Sequence, residues 1–355
     1  MSNNIIQLIN SITDQLLGLN AEAMGLNIDL EEQNNQLSLN LHAGFPCQTL
    51  ATSFLPALKA AIQQANPALT INTNLDFFVK AHRTQLIGKG LKGVKNTIAV
   101  ASGKGGVGKS TVTINLATAL ARAGAKVGIL DADIYGPSIP MMLGKHQPVE
   151  ISGDQYLPIK AHGIYAMSIG YLMDGNQALI WRGPMLAKSL IQMLDITKWD
   201  ELDYLFIDLP PGTGDIQLSL VQKIPLTAAI VVTTPQNVAT LDAEKAIKMF
   251  AQTGIDVLGL VENMSHHICS NCGHKDAIFG HGGGEQLGKM SNIPLLGQLP
   301  LDGRIRNQCD EGMPTAVHGD SALADAFMKT ALTAAIALAK KPLNYASKFP
   351  PVVVE

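Results

Sequence analysis

A glycine-rich segment with two lysines has the residue spacing that is suited to binding phosphate groups. It reads Gly103, Lys104, Gly105, Gly106, Val107, Gly108, Lys109 and Ser110. Its pattern is G-x-x-x-x-G-K-[ST], in which glycines let backbone N–H groups turn inward around phosphate oxygens. Lys109 is expected to reach the β- and γ-phosphates, and the Ser110 hydroxyl to bind Mg²⁺. The segment therefore predicts a site for ATP and Mg²⁺.

Three aspartates follow apolar runs that are predicted to be strands. Asp208 ends the run 204–207, and Asp131 and Asp133 follow another run. Because ligands of parallel α/β sheets bind at the carboxyl ends of the strands, these carboxylates are expected near the glycine-rich segment. Asp208 is predicted to hold Mg²⁺, and Asp133 to be a metal or water partner at the same site. An aspartate at a strand end can also cap a helix, and for Asp131 both interpretations remain open.

A pair of cysteines, Cys269 and Cys272, has the spacing with which two thiolates share one metal centre. A [4Fe–4S] cluster or a tetrahedral sulfur site normally needs four cysteines. The other two, Cys47 and Cys309, do not form a second pair. A symmetric dimer brings two such pairs together on its two-fold axis. The cysteine pair therefore predicts a homodimer that holds a shared metal centre, a [4Fe–4S] cluster or a tetrahedral sulfur site, between its subunits.

The cysteine pair also has other interpretations. A redox dithiol of the thioredoxin type would place the pair at the start of a helix. A mononuclear zinc site would use His266, His267 or His274 with the two sulfurs, and zinc can also bridge two thiolate pairs across a dimer. Cys47 and Cys309 are predicted to be buried or incidental thiols.

The elements that must position these residues begin at residue 96. From there, short apolar runs alternate with helical segments such as 110–123 and 239–253, which end at Gly124 and Gly254. This alternation is typical of βαβ units, so we predict an α/β fold with a doubly wound, mainly parallel sheet. The predicted strands are 97–101, 126–130, 204–207, 228–233, 257–261 and 294–298.

The residues before this sheet are predicted to form a separate unit. Helical periodicity covers 4–17 and 51–64, alternation covers 36–41, and a further strand is expected over 69–79. The segment 80–95 is rich in lysine and glycine. We predict a small α/β N-terminal domain over 1–85, a linker over 86–95, the P-loop ATPase domain with the cysteine pair over 96–341, and a C-terminal tail over 342–355.

Composition narrows the class of protein. The 355 residues are 46% hydrophobic, which argues against overall disorder, and the net charge of −3 does not favour nucleic acid as the main partner. The most apolar stretches are shorter than the roughly 20 residues of a membrane span. The first twenty residues contain no lysine or arginine, so no secretory leader is predicted. The presence of only four cysteines favours a cytoplasmic protein. The net charge and the short apolar stretches predict neither nucleic acid nor a membrane as a partner.

The sequence resembles a known family in several motifs at once. Residues 104–110 are similar to the deviant phosphate loop of the MinD, ParA and nitrogenase iron-protein class. The resemblance narrows with Asp-Ala-Asp-Ile-Tyr-Gly-Pro-Ser at 131–138, Asp-Leu-Pro-Pro-Gly-Thr-Gly-Asp at 208–215, and Val-Glu-Asn-Met-Ser at 261–265 before the cysteine pair. Together these motifs resemble the Mrp/ApbC-type iron–sulfur cluster carrier ATPases over about residues 95–340.

This resemblance implies roles for individual residues. Lys104 would cross a dimer interface to the partner's nucleotide, Asp133 would position or activate the attacking water, and Asp208 would support Mg²⁺. Asn263 would contact adenine. The implied function is slow ATP hydrolysis coupled to the transfer of a [4Fe–4S] cluster, with cluster scaffold proteins and recipient apo iron–sulfur proteins as partners. The family's N-terminal signatures are not evident, residues 44–47 being the nearest match.

Two other functions share parts of this pattern. A MinD- or ParA-like regulator would need a basic amphipathic C-terminal helix or basic patches, and it would leave the cysteine pair unexplained. A reductase like the nitrogenase iron protein would share the dimer and the cluster, but it would require a redox-active centre that is held firmly.

Overall fold

The computed structural model describes residues 2–172, 183–269, 271–319 and 321–344. Its N-terminal part contains α1 (Ser2–Leu17), α2 (Ala21–Met24), β1 (Asn27–Gln33), β2 (Gln36–Ala43), α3 (Gln48–Ala65) and β3 (Thr70–Phe77). The next part contains β4 (Val94–Ala101), α4 (Lys109–Arg122), β5 (Val127–Asp131), α5 (Ile139–Met142), β6 (Glu150–Ser152), β7 (Gln155–Leu157), β8 (Ile159–Ala161), β9 (Ile164–Ser168) and α6 (Gly183–Ile196).

The remaining elements carry most of the predicted site. They are β10 (Leu202–Asp208), α7 (Asp215–Lys223), β11 (Ala228–Thr233), α8 (Asn237–Gln252), β12 (Val257–Glu262), β13 (His267–Ile268), β14 (Lys275–Asp276), α9 (Gly283–Ser291), β15 (Leu295–Gln298), α10 (Gly303–Asp310) and α11 (Ala322–Ala339). Short 3₁₀ turns lie at Ile169–Tyr171 and Thr315–Val317.

The main sheet has eight strands in the order β15-β12-β11-β4-β10-β5-β9-β8. Neighbouring strands are parallel except for the edge pair β8 and β9. Every residue of β10 and β11 is buried, because helices cover both faces. One buried cluster contains residues of α4 and α11, and the other contains residues of α7 and α8. The predicted doubly wound α/β fold is confirmed.

The structure extends some of the predicted elements and adds others. β4 starts at Val94, so the last two residues of the predicted linker belong to the central sheet. The strands β1, β8 and β9 and the helix α6 were not predicted. β1 is rich in acidic and amide side chains and has only two alternating apolar residues, Ile28 and Leu30, whereas β2 has three fully buried leucines.

The N-terminal unit packs against the rest of the chain. Its sheet has the order β1-β2-β3, and its buried side chains belong to the same hydrophobic cluster as those of α4 and α11. The backbone N–H of Gln48 donates to the carbonyl of Ala123 over 3.0 Å. A Cβ placed on Gly44 would lie 3.3 Å from the Cβ of Ala339. The unit is therefore docked on the P-loop part of the chain.

The end of the predicted N-terminal domain, just before the predicted linker, and the start of the predicted tail are both held by contacts with the P-loop part or with each other. Gln85 exchanges hydrogen bonds with the segment that follows α7, including one of 2.7 Å from its Nε2 to the carbonyl of Ile224. Arg83 N–H donates to the carbonyl of Pro342 over 3.0 Å, and His82 forms a bridge with Leu343. The rest of the predicted tail, 345–355, lies outside the described residues.

Within the part of the chain that the structure describes, one helix, α11, is long and apolar enough to cross a membrane by length and composition, with a mean hydropathy of 1.5. Its buried residues pack against α4 and β15, as in a core helix of a folded domain.

Candidate functional site

The glycine-rich segment forms a loop between β4 and α4, as predicted. Gly106 and Gly108 have φ angles of +84° and +79°, which L-residues with a side chain rarely adopt. Gly103 is required for a different reason. A Cβ at this position would overlap the backbone carbonyl of Asp242 in α8, so the loop lies directly against that helix. Helix α4 begins at Lys109, which directs its N-terminus toward the loop.

Lys109 and Asp208 form a buried ion pair at the centre of this loop. The Lys109 Nζ lies 2.7 Å from Asp208 Oδ1, and the Asp208 side chain is fully buried. Ser110 Oγ donates to Asp208 Oδ2 over 2.5 Å, and Thr113 Oγ1 donates to Asp208 Oδ1 over 2.8 Å. The hydroxyl and the carboxylate are oxygen ligands of the kind that Mg²⁺ prefers. The predicted phosphate and Mg²⁺ residues are therefore brought together.

Asp133 lies at the edge of the same cluster, and Asp131 lies beneath it. Asp133 Oδ2 is 4.0 Å from Lys109 Nζ, and partial burial raises the pKa of Asp133. Asp131 is fully buried and accepts hydrogen bonds from the N–H groups of Asp133 and Ile139 and from the hydroxyl of Ser168. Burial and, secondarily, the Asp208 carboxylate raise the pKa of Asp131 to about 7. Asp131 thus holds the loop that positions Asp133.

The cavity above the loop has a volume of about 220 Å³. It is lined by the loop itself together with Asp133, Met142 and Pro211. Lys104 also lines this cavity and is half-buried, and its backbone carbonyl accepts a hydrogen bond of 2.9 Å from Ser102 Oγ. Lys104 therefore lies beside the predicted phosphate position.

The side chain of Asn263 contacts the backbone of the phosphate loop. Its Nδ2 donates to the carbonyl of Val107 over 2.9 Å, and this hydrogen bond is buried. A Cβ on Gly108 would overlap this Nδ2 atom, so the missing side chain leaves the space that Asn263 occupies. The predicted contact of Asn263 with adenine stays a prediction.

The cysteine pair lies in a hairpin formed by β13 and β14. Cys269 N–H donates to the carbonyl of His274, and Gly273 N–H donates to the carbonyl of Cys269, each over 2.9 Å. Cys272 is exposed and Cys269 is partly exposed. Hydrogen bonds from the backbone N–H groups of Cys272 and Asn271 lower the pKa of the Cys269 thiol, so its thiolate, the form that binds metals, is favoured.

The hairpin bears on the alternatives for the cysteine pair. It does not open a helix, unlike a thioredoxin-type dithiol. Among the residues that the structure describes, no group of three or more His, Cys, Asp or Glu side chains is arranged to hold a metal ion. The ring Nδ1 of His267 is instead 3.0 Å from the carbonyl of Leu301. As predicted, Cys47 and Cys309 are buried, and burial raises the pKa of both thiols.

Two residues of this region were missed by sequence reasoning. Thr113 lies one turn after Lys109, and this spacing, which places the two residues on one face of α4, was a usable signal. Glu262 ends β12 and is fully buried, with Oε2 accepting from Gly284 N–H and Oε1 accepting from Gln298 Nε2. No local pattern indicates these two contacts, because both partners are far away in the sequence.

The fold and the phosphate loop together define a P-loop NTPase. A model of the ParA family, described as NUBPL iron-transfer P-loop NTPase, matches residues 93–335. The chain belongs to this family, and the resemblance predicted from its motifs is confirmed.

Curated relatives and solved structures agree with this assignment. The iron–sulfur cluster carrier protein of Haemophilus influenzae is 47% identical over 93% of this chain and 90% of its own length. That of Deinococcus radiodurans is 40% identical over 97% of each chain. That of Escherichia coli K12 is 58% identical, over 64% of this chain and 62% of the relative.

Two solved structures are similar to the P-loop part. A nucleotide-binding protein from Archaeoglobus fulgidus, in complex with ADP, has a TM-score of 0.56 and 42% identity, covering 62% of this chain and 87% of its own. The Pyrococcus furiosus cell division ATPase MinD has a TM-score of 0.50 and 25% identity, covering 67% of this chain and 97% of its own.

Proposed function

We propose that this protein is an ATP-dependent iron–sulfur cluster carrier. The observation that carries the proposal is the presence, in one P-loop NTPase, of a phosphate loop and a cysteine hairpin that are joined through Asn263. Full-length relatives from Haemophilus and Deinococcus bear the name iron–sulfur cluster carrier protein, which supports the same conclusion. The reducing cytoplasm is the compartment in which such thiolates persist.

At the nucleotide site, the chain's own residues act mainly by position and charge. Lys109 neutralises the β- and γ-phosphates, and Ser110 and Asp208 would hold Mg²⁺, which supplies further positive charge to the phosphates. Asp133 orients the attacking water. No covalent intermediate with the protein is needed, and hydrolysis is slow and coupled to transfer of the cargo.

At the cysteine hairpin, each chain supplies two sulfur ligands to a [4Fe–4S] cargo. A second copy supplies the other two, and Lys104 of each copy reaches the nucleotide of its partner. A cluster held by two exposed or partly exposed cysteines per chain is accessible to other proteins. This accessibility suits a carrier that receives clusters from a scaffold protein and delivers them to recipient apo proteins.

The test is anaerobic reconstitution of the Cys269→Ala and Cys272→Ala variants with iron and sulfide. Both variants are expected to lose nearly all protein-bound labile iron and sulfide, because each removes half of the ligands that a chain provides. Cys309→Ala is the matched control and should retain the cargo, since this cysteine is buried under α4 and far from the hairpin in sequence.

Sedimentation of the same samples measures how many chains hold one cluster. The parent protein loaded with its cargo is expected to be a dimer with about four irons per two chains. Cargo retained by the two hairpin variants, or a full cluster on a monomer, would refute the proposal.

A further inference from the structure

We propose that Asn263 is a positioning residue that transmits the state of the phosphate loop to the cysteine pair. This inference rests on the proposed function, since it names the structural link through which nucleotide would affect the cargo site. It assigns to Asn263 a role distinct from the adenine contact that the family resemblance implies.

The first step is the contact between Asn263 and the phosphate loop. Val107 C=O, which accepts from Asn263 Nδ2, belongs to the same peptide group as Gly108 N–H. Because a peptide group is planar, its carbonyl cannot turn without its N–H turning as well. In a loop of this kind the N–H groups point at phosphate oxygens. Occupancy of the phosphate position is therefore coupled to the hydrogen bond that Asn263 makes.

The second step is the segment that leads from Asn263 to the hairpin. Asn263 N–H donates to the carbonyl of Thr233 at the end of β11, and Met264 follows with a φ of +55°. Ser265 donates to the carbonyl of Leu299 twice, from its N–H over 2.9 Å and from its hydroxyl over 3.1 Å. A left-handed backbone at a methionine is unfavourable and is maintained here by these contacts on both sides.

The third step is the junction with the hairpin. The carbonyl of His266 accepts from Leu301 N–H over 2.7 Å, and the next residue, His267, begins β13. Cys269 follows two residues later and is closed into its turn by the bond to His274. Backbone or side-chain hydrogen bonds thus hold the segment 263–269 at several points along its length. The segment has few free torsions and can act as a short, stiff connection.

The base of this connection is fixed by Glu262. Its carboxylate is fully buried and accepts from Gly284 N–H over 2.6 Å and from Gln298 Nε2 over 2.8 Å. These bonds join the end of β12 to the start of α9 and to β15. With the base held, a displacement of the Asn263 side chain is passed along the segment toward the cysteines and not back into the sheet.

The experiment measures thiol alkylation in the reduced, cluster-free protein. Rates of iodoacetamide labelling at Cys269 and Cys272 are determined by mass spectrometry, without nucleotide and with saturating ATP and Mg²⁺. Saturation is established separately for each variant from its own binding isotherm. The variants are Asn263→Ala, which removes the amide, and Asn263→Asp, which places an acceptor against the Val107 carbonyl.

The matched control is Asn96→Ala. Asn96 is also a fully buried asparagine that holds backbone groups, with Nδ2 donating to the carbonyls of Lys80 and Asp203. It lies near the amino end of β4, at the opposite end of that strand from the phosphate loop. If a general loss of stability removed the effect of nucleotide on labelling, Asn96→Ala would lose that effect as well. If the contact of Asn263 with the phosphate loop is what matters, Asn96→Ala would keep it.

In the parent protein and in Asn96→Ala, nucleotide is expected to change the labelling rate by about fivefold or more. In both Asn263 variants this ratio should fall close to one although nucleotide is bound. A nucleotide effect that survives in Asn263→Ala, or that is missing in the parent protein, would overturn the inference. Because the measurement needs no cluster, its result is independent of whether reconstitution supports the carrier function.

Discussion

Asp208 contacts three other side chains of the nucleotide site, those of Lys109, Ser110 and Thr113. Its fully buried carboxylate accepts from two hydroxyl groups and pairs with Lys109. A buried ion pair contributes little net stability, but removal of one partner leaves an uncompensated charge in a medium of low polarity. The lysine is therefore expected to maintain the integrity of the site, in addition to the phosphate binding that we propose for it.

We predict that Lys109→Met lowers the free energy of unfolding by about 3 kcal/mol, because it leaves the Asp208 charge buried and unpaired. Adding Asp208→Asn to the same chain should restore most of this loss. Urea denaturation without nucleotide measures both values. Phosphate release should be at least about 100-fold slower in the single and double variants, since each lacks the phosphate-binding cation.

The single variant Asp208→Asn is measured as well. A double variant whose stability loss equals the sum of the losses in Lys109→Met and Asp208→Asn would contradict this prediction. Additivity of that kind would show that the two side chains do not interact in solution.

At this scale, the sequence predicts which residues meet when each has a fixed place in a local pattern. Lys109, Ser110 and Asp208 each lie at a strand end or a helix start, and the structure brings them together. Their roles toward phosphate and Mg²⁺ stay predictions. The contact of Asn263 with Val107 joins residues that are far apart in sequence, and it depends on the space left by Gly108. Such a contact has no local pattern. The three hydrogen-bond donors to Asp131 are likewise brought together only by the fold.

At the scale of elements, the phosphate loop is held between β4, α4 and α8. The backbone of Gly103 lies directly against the carbonyl of Asp242, whereas Gly105 has open space around it. Two glycines of one motif thus serve different purposes. Gly103 allows a helix to pack against the loop, and Gly105 leaves room on the ligand side.

Gly103→Ala is expected to lower stability by about 1–3 kcal/mol, because the new methyl group must displace α8 or the loop. Gly105→Ala, the matched control, should change stability by less than about 0.5 kcal/mol. Thermal or urea unfolding without nucleotide distinguishes the two, since neither measurement depends on phosphate binding. Equal effects at both positions would show that the close approach to α8 is absent in solution.

The central strands of the sheet are predictable because burial on both faces makes them continuously apolar. β11 has the predicted bounds, Ala228–Thr233. Two of the missed strands lack this signal. β1 is mostly exposed, and β8 is a three-residue strand at the edge of the sheet, so their formation depends on pairing with neighbours that local composition does not reveal. β9 lies between β5 and β8 and is mostly buried, and its apolar run 164–167 was a usable signal.

At the scale of the whole molecule, the N-terminal unit and the P-loop part share one hydrophobic cluster. Gln48 at the start of α3 bonds to the end of α4, and Thr49 contacts Met328 in α11. The composition of the sequence indicated a separate unit but did not show whether it is docked. That property depends on surface complementarity between two units, and local composition does not encode it.

Because the hydrophobic cluster is shared, a substitution that destabilises the N-terminal unit should also destabilise the P-loop part. Phe54→Ala, in the core of α3, is expected to cost about 3–5 kcal/mol. The two tryptophans, Trp181 and Trp199, both lie in the second part of the chain. We predict that tryptophan fluorescence reports a thermal midpoint lowered by several degrees in Phe54→Ala.

Lys59→Ala, an exposed position on the same helix, serves as the control and should leave the midpoint unchanged. An unchanged tryptophan transition in Phe54→Ala, accompanied by earlier loss of helical signal, would mean that the two parts unfold independently.

The packing of α11 on α4 has a consequence for biosynthesis. One face of the helix that begins at Lys109 packs on the sheet, and another is covered by residues of Ala322–Ala339, which the ribosome adds much later. Until then, the apolar side chains that α4 directs toward α11 lack this cover, and a growing chain in this condition is prone to aggregation. Chaperones that bind exposed apolar segments therefore have a long interval in which to act on this part of the nascent chain.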